Sequence, residues 1–336
     1  MAVQDTIRTS SMEAIETAAD LAAVGALLQI AAELEVDHVL DAGEPFSVAE
    51  LAGAAGAPEA GIGDFLDALL AAGLVLRAES PEMFQTAGDF EERRYQAGYL
   101  SWAFHANAPF IEHATAFLRD PDGAARIHSR NGRRVAVSSR WIGNRAFYPA
   151  AFRLIAESGA KRVVDLGSGA AGLLIELLRE SSERTGVALD ISPAASDQAR
   201  QAADKAGVGD RMEVVTRSIE SVAEDRSPIE GAEVIHAGFV LHDVVNNPTA
   251  RTGVLRGCRE ALAPGGFLAV TDAVPYATDE RERRFSALFT YLHATFMKVD
   301  LPTEREWREA FLSAGFSQVS CLPHRFPGGR LFIVSN

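Results

Sequence analysis

Residues 163–173 read VVDLGSGAAGL. A β-branched apolar run stops at an aspartate, crosses a glycine-rich turn and enters a leucine-rich segment. Gly167, Gly169 and Gly172 fall at the spacing of a G-x-G-x-x-G turn between a strand and a helix. Missing side chains there allow a tight bend and let a ligand approach the backbone. Such a turn suits a nicotinamide dinucleotide as readily as other nucleoside ligands. Asp165 shifts the balance. It stands two residues before the first glycine, where dinucleotide folds usually keep an apolar residue. A carboxylate at that point suits a cationic group, such as the ammonium of an amino acid. Asp190 closes the next apolar run, VALD, at the place where an acid accepts hydrogen bonds from ribose hydroxyls.

Outward from this turn the grammar repeats. Strands are predicted at 162–166, 186–190, 212–216, 233–240 and 267–273, and helices near 171–181, 194–206 and 249–262. That alternation predicts a Rossmann-like, doubly wound α/β sheet. LAPGG at 262–266 precedes the fifth strand, and FSQVSCLPH and GRLFIVSN, joined by FPGG, predict a C-terminal antiparallel hairpin that closes the sheet. Residues 10–105 are rich in Ala, Leu and Glu and read as mainly helical. Within them, residues 47–77 predict a helix, a turn at Gly56–Pro58, a second helix and a strand from Leu74, with another strand near Met83–Thr86. This is a winged-helix-like pattern. Ser10–Glu13, Ser47–Glu50 and Thr303–Glu306 all have capping-box spacing. The expected organisation is a winged-helix-like domain over 1–105, a helical linker over 106–155 and the α/β domain over 156–336.

Bulk properties narrow the partners. The 336 residues are 47% hydrophobic, enough for a soluble chain of about two domains. Acidic residues outnumber basic ones by 46 to 32, for a net charge of −14. The helix at 59–72 carries Glu59, Asp64 and Asp67 and no Lys or Arg, so a DNA groove would repel it. No nucleic-acid partner is expected. Two cysteines without a CxxC pattern predict no disulfide framework and a reducing, cytoplasmic setting. No apolar leader and no uncharged apolar stretch of membrane-spanning length is read, so no membrane partner is expected.

Chemistry gathers at a second stretch, AGFVLHD at 237–243. An apolar strand ends at the adjacent pair His242–Asp243. A further histidine, His293, lies in RRFSALFTYLHATFMKVD, among apolar and aromatic neighbours. Two histidines and one carboxylate form a recognised set for a divalent metal. Successive strand side chains face opposite ways, so His242 and Asp243 can share an ion only if the strand has ended by about Leu241. The other reading is a general base, His242, oriented by Asp243.

The combination of DLGSG at 165–169, LD at 189–190, LAPGG and the terminal hairpin resembles the class I S-adenosylmethionine-dependent methyltransferases. That resemblance implies S-adenosylmethionine as cofactor and Asp165, Gly167, Ser168, Gly169, Asp190, Ser218 and Phe239 around it. Ser218 stands where the family often has an acid. With the winged helix, the whole chain is similar to the small-molecule O-methyltransferases, which implies a homodimer formed through the N-terminal domain and a catalytic histidine at 242. The segments YLHATF, LPTEREW and VLHDV look like a narrower group, the α-keto acid C-methyltransferases. That likeness implies an iron or zinc ion held by His242, Asp243 and His293, and Arg130 meeting the carboxylate of a 2-oxo acid. The expected reaction is then methylation of that acid's β-carbon through a metal-stabilised enolate. The alternative is metal-free methylation of a hydroxyl, with His242 as the base.

Overall fold

The structure, a computed structural model, describes residues 2–244 and 247–336; of residues 2–16 it describes the backbone helix alone. Two compact units divide the chain, residues 1–145 and 146–336.

In the first unit a long helix, Ala2–Glu33, precedes β1 (Phe46–Ser47), the helices Val48–Ala55 and Glu59–Ala71, β2 (Val75–Arg77) and β3 (Met83–Thr86). The three strands pair antiparallel in the order β1-β3-β2. Ser47 accepts from the Glu50 N–H and the Glu50 carboxylate accepts from the Ser47 N–H, which closes the capping box. Gly56 at φ 61° ends that helix in the left-handed conformation. Leu51, Ile62, Leu66, Leu69, Leu74 and Phe84 form the core between the helices and the wing. Glu59, Asp64 and Asp67 are exposed on the second helix. The wing's helix thus offers solvent a negative face.

In the second unit seven strands form one sheet: β4 (Arg162–Leu166), β5 (Thr185–Asp190), β6 (Met212–Thr216), β7 (Ala232–Gly238), β8 (Leu262–Ala273), β9 (Gln318–Pro323) and β10 (Gly329–Ser335). Their order is β6-β5-β4-β7-β8-β10-β9. Strands β4 to β8 run parallel, and β10 pairs antiparallel with both β8 and β9. The α/β fold with its terminal hairpin is therefore as predicted. Strand β8 starts earlier than predicted and takes in the LAPGG turn; β7 ends at Gly238, before Phe239.

Alternation along β4 assigns its two faces. Val164 and Leu166 join the core with Leu255, Trp307, Phe311 and Phe332. Val163 packs on the other side with Ile155, Leu174 and Leu177. Helices begin where the sequence supplies a cap: Ser192 and Asn247 each accept a backbone N–H, and each is followed by Pro at the first helical position. Thr303 and Glu306 form another expected capping box, whereas Ser10 lies inside the helix Ala2–Glu33 and begins none. Among the described residues no helix is long and apolar enough to cross a membrane.

Phe332 is fully buried and its ring meets Trp307 at 6.0 Å and Phe311 at 5.6 Å. Phe332→Ala is expected to lower the stability of this unit by about 3–5 kcal/mol, because the cavity cannot collapse between two large rings. Urea denaturation followed by tryptophan fluorescence measures the loss.

Candidate active site

The turn after β4 has the conformation the glycines predict. Gly167 and Gly169 sit at φ 67° and 54°, where a side chain would strain the backbone. A Cβ on Gly167 would also come within 2.6 Å of the Val240 side chain. Asp190 shapes this turn directly. One carboxylate oxygen accepts the Gly169 N–H at 2.8 Å and the other accepts the Ser192 N–H at 2.8 Å. The Leu189 carbonyl takes the N–H groups of Gly167 and Ser168. The acid at the end of β5 therefore joins two loops into one concave edge, and each of its oxygens keeps a further lone pair for a ligand. Next to it Ile191 is 70% exposed, an apolar side chain standing in the open beside an acid.

The other expected cofactor residues are spread around this edge. Ser218 caps the short helix Ile219–Ala223 by accepting from the Glu220 N–H, and its hydroxyl contacts the Glu220 carboxylate. Phe239 follows β7 at φ 53°, which is strained for a residue with a side chain. Its ring packs on Phe147 at 4.7 Å and Phe326 at 5.1 Å. Asp165 is buried and accepts from His236. Tyr148 lies close to that carboxylate. Burial, and then the charge of Asp165, push its phenol up to about 12, so it stays neutral.

His242 lies on the one-turn helix Leu241–Val244, just beyond β7. Its Nδ1 is 2.8 Å from Oδ1 of Asp272, a residue of β8 with no exposure. The backbone N–H of His242 donates to the other Asp272 oxygen at 3.2 Å. Two contacts to one buried carboxylate fix the ring. Since a carboxylate only accepts, the Nδ1 carries the proton, and in the neutral ring the lone pair is then on Nε2. Asp272 was not singled out in the sequence, where TDAV reads as ordinary strand.

These positions correct the metal reading. Strand β7 does end before Leu241, the condition a shared ion needs. Yet Asp243 turns outward, its side chain 63% exposed, with Oδ1 3.5 Å from His242 Nε2. His293 lies on a π-helical segment, Leu292–Met297, and its Nδ1 donates to the Phe289 carbonyl at 2.7 Å. Its ring stands edge-on to His242 with centroids 5.5 Å apart. Among the described residues no three His, Cys, Asp or Glu side chains converge as a metal ion requires. His242, Asp243 and His293 therefore do not form the expected iron or zinc site. Arg130 belongs to the first unit, in the exposed turn between the helices Pro121–Ile127 and Gly132–Ala146.

Aromatic side chains crowd His242. Phe239 is 6.5 Å from it, Phe289 stacks on His293 at 4.0 Å, and Phe326 meets both Phe239 and Phe289. His324 joins this cluster from the β9–β10 hairpin. Its Nδ1 accepts from the Phe326 N–H at 3.2 Å, so the ring proton sits on Nε2, which is buried without a partner. Burial, and then the nearby Arg330 charge, push its pKa down to about 4.

Comparison with known proteins fits this geometry. Residues 17–107 match the O-methyltransferase dimerisation domain and residues 164–268 match a methyltransferase domain. The aclacinomycin 10-hydroxylase RdmB of Streptomyces purpurascens is 32% identical over 163 residues, 48% of this chain and 41% of that protein. The 2,7-dihydroxy-5-methyl-1-naphthoate 7-O-methyltransferase of Streptomyces carzinostaticus is 36% identical over 113 residues, 33% of this chain and 31% of that protein. This chain thus spans less than half the length of either relative. The solved structure "PigF with SAH" has a TM-score of 0.59 at 21% identity, covering 99% of both chains. The naphthoate relative is by name an oxygen methylator. Together with the absent metal constellation, this overturns methylation of a 2-oxo acid β-carbon.

His324 ordinarily titrates near 6.5 and here is depressed to about 4. The unfolded chain therefore binds its proton first, and the native state loses stability as pH falls from 6.5 towards 4. The loss is on the order of 3 kcal/mol. Denaturation midpoints of the wild type and His324→Phe, measured across that range, should diverge on the acid side.

Proposed function

We propose that this chain, which carries the dimerisation and methyltransferase domains of the small-molecule O-methyltransferases, transfers the methyl group of S-adenosylmethionine to a hydroxyl of a small aromatic molecule. The observation that carries this reading is the His242–Asp272 pair beside the glycine turn. The cofactor supplies an electrophilic methyl on a sulfonium. The turn at Gly167–Gly169, its own N–H groups held by the Leu189 carbonyl and Asp190, gives a fixed backbone and room for a close approach. Asp190 offers lone pairs to ribose hydroxyls, and exposed Ile191 offers the purine an apolar face. Ser168, Ser218 and Phe239 border the same edge of the sheet.

His242 acts as the general base. Its Nε2 lone pair takes the proton of the acceptor hydroxyl as the oxygen attacks the methyl. The proton then rests on an imidazolium whose other nitrogen donates to Asp272, and Asp243 at 3.5 Å adds a second, more exposed negative charge. A buried carboxylate is well suited to stabilise this developing charge, because little water competes for it. Phe147, Phe239, Phe289 and Phe326 supply an apolar wall beside the base. Such a wall favours an aromatic acceptor, as the naphthoate relative's name also suggests. The role expected for Arg130, meeting a 2-oxo acid carboxylate, has no counterpart in this reaction. Residues 17–107 would join two copies of the chain into a homodimer.

Radiolabelled methyl transfer to dihydroxynaphthoates and related phenols tests the proposal. His242→Ala and Asp272→Asn are each expected to reduce kcat about 10²–10⁴-fold, the usual contribution of a positioned base. Affinity for S-adenosylhomocysteine should change little. Methylation undiminished in His242→Ala, or a hydroxylated product carrying no label, would rule out this function.

A further inference from the structure

Deeper in the sheet lies a second histidine–carboxylate pair that the base chemistry does not use. His236 Nδ1 is 2.7 Å from Asp165 Oδ1. The two residues are 3% and 6% exposed and are direct partners across β4 and β7. Parallel strands covered on both faces are normally apolar throughout, and here Val163, Val164, Leu166, Val234, Ile235 and Ala237 all obey that rule. A polar pair in this position does not explain itself through stability, since apolar residues of similar size would hold the sheet equally well.

Its position in the topology supplies a reason. From β4 the sheet grows outward through β5 to β6, then returns to add β7 on the other side. The crevice of a doubly wound sheet opens at that reversal, beyond the carboxyl ends of the strands. Asp165 and His236 straddle it, and Asp165 lies one residue from the end of β4 and two from Gly167. Apart from this pair, the side chains around the adjoining space are apolar: Ile155, Val163, Leu173, Leu174 and Leu177. Apolar walls give the carboxylate no hydrogen bond to set its orientation. The His236 ring N–H at 2.7 Å supplies one and leaves the remaining lone pairs to a cation.

We propose that His236 is a positioning residue of the cofactor site: its Nδ1–H fixes the Asp165 carboxylate so that the remaining lone pairs meet the ammonium of the amino-acid end of S-adenosylmethionine. This rests on the cofactor half of the function proposed above. It predicts a dependence confined to one end of the ligand. The adenosine end, served by Asp190 and Ile191, is indifferent to His236.

Isothermal titration of the full chain with two ligands tests this. S-adenosylhomocysteine carries the ammonium; 5′-methylthioadenosine keeps the adenosine and thioether but lacks the amino-acid end. His236→Phe is expected to weaken S-adenosylhomocysteine about tenfold, the scale of a misplaced charge-assisted contact, and to leave methylthioadenosine within about twofold. His236→Gln, whose amide N–H reaches the carboxylate, restores most of the affinity, and Asp165→Asn reproduces the selective loss. If the phenylalanine variant does not fold, His236→Asn, with its shorter amide, takes its place. Equal weakening of both ligands, unchanged affinity for S-adenosylhomocysteine, or no binding of it by the unaltered chain overturns the assignment. No methyl acceptor enters these titrations. A selective loss in a protein that methylates nothing would therefore defeat the proposed reaction and leave this role of His236 standing.

Discussion

Everything at the candidate site depends on the pairing of β4 with β5 on one side and β7 on the other. That pairing brings three strand ends to one edge. The glycine turn follows β4, Asp190 ends β5, and the short helix bearing His242 follows β7. Residues distant in sequence meet there because parallel strands in register end together. Asp190 then ties the turn to the loop after β5 through two backbone N–H groups. The local geometry is thus a consequence of sheet order, and the glycines only make it sterically possible.

Two buried carboxylates, Asp165 and Asp272, share a device. Each is almost completely removed from water and each accepts from a histidine Nδ1. Burying a charge without a partner is strongly unfavourable, so the imidazole N–H has a structural role in both. The pairs differ in what the histidine can do next. His242 sits beyond the strand end, among aromatic side chains, with its second nitrogen turned from Asp272. His236 is locked within β7 between fully buried neighbours. The same chemical pair therefore yields a base in one place and an orienting group in the other.

Much of the architecture was legible in the sequence. Strand and helix positions followed from alternation and periodicity, and two of the three expected capping boxes formed as their spacing required, whereas Ser10 falls inside the helix Ala2–Glu33 and not at its start. The turn's glycines and Asp190 were readable because each answers a local need, positive φ or a loop-end acceptor. What failed was inference across distance. Adjacent His242 and Asp243 do meet, Oδ1 to Nε2 at 3.5 Å, but the Asp243 side chain stays largely in solvent. The carboxylate that fixes the ring, Asp272, lies 30 residues on, in a strand whose text gives no hint of it. His293 was placed on a helix correctly, yet the π-helical turn that aims its Nδ1 at the Phe289 carbonyl has no sequence signal. His236 read as one polar residue in an apolar run.

Strand order also governs how the polypeptide reaches this state. Contacts within the Val48–Ala71 helical pair span few residues, whereas Asp165 must find His236 across 71. Closing longer loops delays assembly, and parallel pairing is slow for that reason. That helical pair can therefore form while the central sheet is still unpaired. A newly made chain would hold formed helices before the strand ends converge that gather the glycine turn, Asp190 and His242, so the candidate site is among the last features to take shape.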